Sequence, residues 1–397
     1  MNSKETIINS TESLKKLREY IERENFRGYD PYDIHNSSLP TNKIPHSIQF
    51  LASQLNKRTP INLRPLLKIK QAPHSKAMGL FLAGYSNLIK LKEEAASKEH
   101  ANSIYQWIKI NRSAEYSAPC WGFDYDYSSR QGYVKKGLPT VVHHKYILQG
   151  LYKYYQVSQT KDIYDIISKC DKFIIQHIPK IKYPDGKCFG YYPKANGCCY
   201  NASLKAAESL ALVDKIKQTS DYIEDIALAV QYVISKQKES GAWYYSHGEN
   251  PSVEKQQIDF HQGFILDSLD EINQLTNNQL APIIQPAIKK GLEFYYNKQF
   301  DKQGRCYYRY PQKFPIDIHN QAQGILTFSR FSKVKQEYED MADKITNWTI
   351  KNMQDKSGYF YYQKYRFFTN KIPYIRWGQA WMFWALTERI LLKLSKK

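Results

Sequence analysis

Two short units carry the clearest chemistry in this chain: Ile258-Asp259-Phe260-His261 and Ile316-Asp317-Ile318-His319. Each sets a carboxylate two residues before an imidazole, the side chain whose ordinary pKa lets it take and give protons near neutrality. Each also opens a run with apolar residues at three- and four-residue spacing, so the acid falls at a helix start and the imidazole on its first turn. An Asp at that place is also a common N-cap, accepting from an unpaired backbone N–H. Capping and catalysis therefore both remain open for Asp259 and Asp317. A histidine on the first turn has no such duty, which makes His261 and His319 candidates for proton transfer.

The richest non-helical stretch is Cys120-Trp121-Gly122-Phe123-Asp124-Tyr125-Asp126-Tyr127-Ser128-Ser129-Arg130. Aromatic planes alternate there with carboxylates and end in a guanidinium, a composition suited to stacking on pyranose faces and holding hydroxyls or carboxylates. Trp121, Tyr125 and Arg130 are read as binding residues. Asp124 and Asp126 point to opposite sides of an extended chain, so one of the two is structural. Near the amino terminus, Phe26-Arg27-Gly28-Tyr29-Asp30-Pro31-Tyr32-Asp33-Ile34-His35-Asn36 is similarly dense. Asp30, Tyr32 and Asp33 are either a second binding cluster or a cluster of turn residues.

The elements that must position these groups show themselves by repetition. Four segments share a glycine turn followed by aromatics, at Gly186, Gly241, Gly304 and Gly358, spaced 55, 63 and 54 residues apart. The second of them contributes Trp243, a candidate stacking ring. Between the turns lie two helix-like segments per period: 201–213 with 221–235, 260–275 with 282–299, and 320–331 with 334–353. Upstream, 143–155 with 163–177 and 76–91 with 103–109 repeat the pair, and a last helix at 377–394 is completed by the segment 11–23. A helical hairpin cannot bury its apolar face alone, so such units stack. Bulky apolar residues nearly all round the helix at 377–386 favour an enclosed inner layer and hence a closed ring. The expected fold is all-α, an (α/α)6 toroid (six-hairpin barrel) with short β-hairpin-like aromatic loops at one rim. Residues 71–397 would form the barrel, and 1–70 an extension that packs on it and completes it.

In a closed ring the starts of the inner helices converge. That brings His74, the His143-His144 pair, Tyr200-Asn201, Asp259 with His261, Asp317 with His319-Asn320, and Arg376-Trp377-Gly378-Gln379 to one mouth. His143 and Tyr200 join the candidate proton carriers. His144, Asn201, Asn320, Trp377 and Gln379 join the candidate binding residues.

Composition narrows the remaining classes. The chain has 397 residues, 42% of them hydrophobic, with 33 Tyr, enough apolar surface for a substantial core. Its 57 Lys+Arg against 38 Asp+Glu give a formal charge of +19, which could attract nucleic acid, anionic lipid or an acidic polymer. Nucleic-acid motifs are absent from the sequence, as is any run of about eighteen apolar residues, so neither nucleic acid nor a membrane span is expected, while peripheral membrane contact stays open. Charged residues interrupt the amino terminus before a signal peptide could form, which points to the cytoplasm. Six cysteines without a CxxC or Cys/His ladder read as reduced and mostly buried, with no metal site. Without a glycine-rich phosphate cradle, no nucleotide or other cofactor is expected.

Several of these residues occur in an order that resembles a family. Gly28-Tyr29-Asp30-Pro31-Tyr32-Asp33 with Asn36, Cys120-Trp121-Gly122-Phe123, Asn201-Ala202-Ser203-Leu204, Asp259 through Phe264, Asp317 through Ala322, and Arg376 through Trp381 are similar to proteins of bacterial capsule and exopolysaccharide clusters. Those proteins resemble the six-hairpin glycosidase superfamily of (α/α)6 toroids. The closing Arg376-Trp377-Gly378-Gln379-Ala380-Trp381 also resembles a segment of unsaturated-uronyl hydrolases, whose two catalytic aspartates have no matching motif here. The resemblance implies a role in making or trimming a surface polysaccharide, next to other proteins of such an assembly.

Two enzymatic chemistries fit this inventory of an oligo- or polysaccharide site. In a glycoside hydrolase, one of Asp124, Asp126, Asp259 or Asp317 protonates the glycosidic oxygen and a second carboxylate activates water or attacks. In a uronate C5 epimerase or lyase, Arg376 neutralises the uronate carboxylate while His261, His319, His143 or Tyr200 moves the C5 proton. A non-catalytic glycan-binding or scaffold protein would need the aromatics and hydrogen-bonding groups but not the titratable ones.

Overall fold

The computed structural model describes residues 3–39, 45–92, 95–129 and 132–395. Its helices are α1 (Ser3–Arg23), α2 (His46–Arg58), α3 (Ser75–Lys90), α4 (Ala95–Ile110), α5 (Val141–Ser158), α6 (Lys161–Ile167), α7 (Asp171–His177), α8 (Tyr200–Lys217), α9 (Ile223–Ser235), α10 (His261–Leu275), α11 (Ala281–Gln299), α12 (Ile318–Arg330), α13 (Gln336–Met353) and α14 (Ala380–Leu394). The strands are short: β1 (Tyr127–Ser129), β2 (Gly132–Val134), β3 (Lys180–Tyr183), β4 (Gly186–Phe189), β5 (Cys198–Cys199), β6 (Ser246–His247), β7 (Glu254–Lys255), β8 (Ile316–Asp317), β9 (Gln363–Lys364) and β10 (Thr369–Asn370).

Helices α3, α5, α8, α10, α12 and α14 pack in that order, and α14 returns to α3, which closes an inner ring. The helices between them form the outer layer, and α1 completes the last hairpin against α14 and α13. Enclosure explains the composition of the inner helices. Every residue of α8 from Tyr200 to Asp214 is buried, as is every residue of α5 from Val141 to Leu151. Where α3 crosses α5, a Cβ on Gly150 would stand 2.3 Å from the Gly79 carbonyl oxygen, so only glycine permits this approach.

The glycine turns feed the short strands, which pair antiparallel as β1–β2, β3–β4, β5–β6–β7 and β8–β9–β10. One device repeats at three of the turns. Gln262 on α10 brackets the Trp243 backbone, accepting from its N–H at 3.0 Å and donating to its carbonyl at 2.5 Å. Gln321 on α12 accepts from Cys306 N at 2.8 Å and donates to the Gly304 carbonyl at 3.1 Å. Gln379 holds both polar groups of Phe360 at 2.8 Å. At these three turns one amide at the start of the following inner helix fixes the loop.

Three expectations are corrected. The helix expected over 163–177 is broken into α6 and α7 by the turn at Ser168 to Cys170. Cys188 and Cys198 are joined in a disulfide, because the β3–β4 hairpin folds Cys188 against β5; the other four cysteines are free and buried. Helix α2 has no counterpart in the sequence reading.

Candidate active site

The inner helices begin at one rim, and their first turns bring the imidazoles together. Asp317, at the end of β8, caps α12 by accepting from His319 N at 2.9 Å, while Gln363 holds its other oxygen at 2.7 Å. Burial pushes this carboxyl up to about 6 against those two bonds. The cap sets the His319 ring into an aromatic slot: Phe260 stacks at 4.3 Å, with Trp381 at 4.6 Å and the Trp377 edge at 4.9 Å. Among the described residues, neither ring nitrogen of His319 has a hydrogen-bond partner. Burial, with the charges of Lys76, His261 and Arg376, holds its pKa well below that of an ordinary histidine, so the ring is neutral.

His261 is arranged differently. Its Nδ1 lies 2.5 Å from Asp259 Oδ1, which also accepts from His261 N at 3.1 Å. Burial opposes ionisation of Asp259, but His261 and Gln257 outweigh it and hold the carboxyl below its ordinary range. A carboxylate on Nδ1 fixes the ring and leaves Nε2 for proton transfer. Phe260 stacks on His261 at 4.1 Å as well as on His319, so one ring spaces the two imidazoles.

Across the mouth, Thr140 caps α5 and shares a 2.8 Å hydrogen bond with Nδ1 of His143. His143 stacks on His74 at 5.3 Å. His74 is itself the cap of α3, its Nδ1 accepting from Lys76 N at 3.3 Å, with Asp124 Oδ2 3.4 Å away. Both rings are buried with Nε2 unpartnered among the described residues, and burial lowers both well below the ordinary value. Asp124 accepts from Ser75 N at 2.7 Å and from the Ser75 hydroxyl; burial pushes its carboxyl up to about 6 despite those bonds.

Arg376 stands amid these groups, and its charge acts on His74, His143 and His319. It is not free to clamp a substrate in the way the sequence suggested, since Asp30 takes Nε at 2.6 Å and Nη2 at 2.8 Å. Asp33 is paired in turn with Arg64, at 2.9 and 3.0 Å. Asp30 therefore ties the amino-terminal turn to the last hairpin and Asp33 ties it to the segment after α2, and a sugar would have to break a buried ion pair to reach either.

Lys76, on the first turn of α3 and 5% exposed, is a buried cation of a different kind. Its ammonium faces the rings of Tyr146, Trp381 and Phe264 at 4.6, 5.0 and 5.8 Å, and among the described residues it has no ion-pair partner. Burial, then the charges of Arg376, Lys205 and Lys145, lower its pKa well below that of an ordinary lysine. The sequence reading put His74 at the rim without a role and passed over Lys76, which stood as one polar position in an apolar helix. Half-buried rings of Phe123, Tyr127, Tyr32, Tyr245 and Trp377 flank the imidazoles.

Other sequence candidates lie elsewhere. Trp121 and Trp243 are fully buried, their indole N–H groups bonded to the carbonyls of Ile108 and Val233, so they pack the core and stack on no ligand. His144, one residue along α5 from His143, points away from the mouth against Trp121 and Phe173. The Tyr200 hydroxyl is committed to Glu254 at 2.6 Å, and burial raises its pKa, which removes it as a proton carrier. Asn201, Asn320 and Gln379 fasten loops: Asn201 accepts from Cys199 Sγ, Asn320 donates to the carbonyls of Tyr307 and Tyr308, and Gln379 brackets Phe360. Asp126 accepts from Tyr133 and Lys136 N in the β1–β2 hairpin. Tyr125 is buried beside Asp30 and against His74. Arg130 lies outside the described residues. A groove of about 410 Å3 at the opposite end of the ring, lined by Asp214, Lys215 and Leu275 among others, contains neither imidazole nor aromatic ring.

No protein-family model and no curated protein matches this chain. Solved structures do. The chain is similar to cellobiose 2-epimerase from Bacillus thermoamylovorans B4167, with a TM-score of 0.63 at 14% identity over 81% of this chain and 90% of that one. It is also similar to a GH76 α-mannanase from Bacteroides thetaiotaomicron (TM-score 0.61, 11% identity, 83% and 89% covered) and to a D-mannose isomerase (0.59, 13%, 80% and 87%). The fold is thus the six-hairpin (α/α)6 toroid, and these structures with that fold are carbohydrate-processing enzymes.

Proposed function

We propose that the protein is a carbohydrate-active enzyme that moves a proton at a sugar carbon next to a carbonyl, by epimerisation or isomerisation. The observation that carries this reading is the pair His261 and His319, one oriented by a carboxylate and the other neutral with both nitrogens unpartnered among the described residues. One imidazole takes the carbon-bound proton, leaving an enediolate, and another returns a proton. Return to the opposite face of the same carbon gives the epimer; return to the neighbouring carbon, with the hydroxyl proton passing from the second oxygen to the first so that the carbonyl changes place, gives the isomer. Electrons balance without a redox partner. An enediolate near Lys76 would favour the charged ammonium that burial otherwise disfavours, which stabilises the intermediate more than the ground state.

The arrangement suits an aldose in its open form or a uronate at C5. For a uronate, Lys76 takes the part that the sequence gave to Arg376. A place in bacterial surface-polysaccharide synthesis belongs to the same proposal and rests on the motif order alone. Hydrolysis is the second reading, favoured by Asp124 and Asp317, whose carboxyls burial raises to about 6 as a general acid requires.

Incubation with reducing disaccharides and with uronate-terminated oligosaccharides tests both readings through product mass. Proton transfer predicts unchanged mass with a new sugar by chromatography. A gain of one water overturns it in favour of hydrolysis.

A further inference from the structure

Helix α2 is inside out. Its buried positions are the polar Gln49, Ser53 and Asn56, at helical spacing along one face. Gln49 accepts from the Ser128 hydroxyl, and Asn56 donates to Asp33 Oδ1 at 3.4 Å. The outward positions are Ile48, Leu51 and Leu55, exposed by 52, 57 and 62%. The chain that follows adds Ile61 at 68% and Leu66 at 78%. An isolated exposed leucine needs no explanation, but a helix that buries amides and shows aliphatic side chains to solvent has its apolar face turned to something outside the chain.

The charge around this face narrows the occupant. From Ile34 to Lys92 the sequence contains no Asp or Glu. Arg58, Lys68 and Lys70 are exposed and lie in the same stretch of sequence as the aliphatic residues. An outward aliphatic stripe in a stretch of chain that carries exposed cations and no acid is the pattern of an element that lies in the headgroup region of an anionic bilayer.

We infer that α2 with the segment 59–70 is a membrane-docking surface, taking anionic phospholipid. Ile48, Leu51 and Leu55 enter the acyl boundary, and Arg58, Lys68 and Lys70 meet the phosphates. On its other side the same helix sends Lys57 to the Tyr32 hydroxyl at 2.5 Å and over the Trp377 ring at 5.6 Å. A docked α2 therefore sets the mouth of the toroid beside the lipid surface. This inference is independent of the chemistry proposed for the mouth.

The test is co-sedimentation of the full-length protein with vesicles of phosphatidylcholine alone and with about one third phosphatidylglycerol, at low and at raised salt, alongside the solution mass of the free protein. The expected result is binding to the anionic vesicles only, weakened by salt. A triple variant Ile48→Ser, Leu51→Ser, Leu55→Ser and a second variant Arg58→Glu, Lys68→Glu, Lys70→Glu should each reduce the bound fraction about tenfold or more. Wild-type protein that ignores anionic vesicles overturns the inference. So do serine variants that sediment like wild type. A wild-type dimer that the serine variant turns into a monomer, without vesicle binding, assigns the face to a second copy instead.

Discussion

At the scale of residues, a carboxylate at a helix start positions the imidazole that follows it on the first turn. The two Asp-x-His units sit at the same point of two repeats, and the structure places both imidazoles at the mouth with Asp259 and Asp317 accepting from the helix starts. Arg376 was misread because its partner Asp30 lies 346 residues away, and only the closed ring brings the two together. His74 was legible only by its position before the first inner helix, and Lys76 gave no signal beyond its type. His143 and His144 show how a single step along a helix separates roles, since successive side chains diverge by about 100°. His144 is fully buried, and burial lowers it to about 3 from 6.5. Between those values the unfolded chain binds a proton that the folded protein refuses, so this group costs about 1.4 kcal/mol of stability per pH unit of acidification. His144→Leu removes that dependence. Urea denaturation should show wild type losing about 2 kcal/mol more than the variant between pH 7 and pH 5. Equal losses would mean that this imidazole protonates in place.

At the scale of elements, the glycine turns announced the period, and their structural duty is close approach. A Cβ on Gly358, where φ is +104°, would stand 2.1 Å from the Lys16 carbonyl oxygen of α1. Gly137 has a similar φ of +83° but open space around it. Gly137→Ala should therefore cost only the left-handed strain, about 1–2 kcal/mol. Gly358→Ala should cost about 1–3 kcal/mol more, because α1 must shift to admit the methyl group. Matching losses in denaturation midpoints would show that α1 is not seated on that turn. Helix α2 escaped the sequence reading for the reason that makes it informative. A search for apolar periodicity assumes that the apolar face points inward, and here Gln49, Ser53 and Asn56 do.

At the scale of the whole molecule, closure is what turns scattered residues into a site. The ring was legible because six hairpins with all-round apolar inner helices have few other ways to bury themselves. The Cys188–Cys198 bond was not, since a spacing of 10 residues without a CxxC pattern says nothing about which loops meet. Closure sets His261, His319, His143 and His74 round one mouth with Lys76 and Arg376 among them, and an account built on proton transfer stands or falls on whether a carbon-bound hydrogen exchanges. Turnover in D2O, followed by proton NMR, measures this directly. Wild type should place deuterium at the carbon next to the carbonyl of its sugar, and His261→Gln and His319→Gln, folded by the same melting criterion, should slow that exchange about 100-fold or more. Product that carries no carbon-bound deuterium, or variants that exchange at the wild-type rate, would contradict the account.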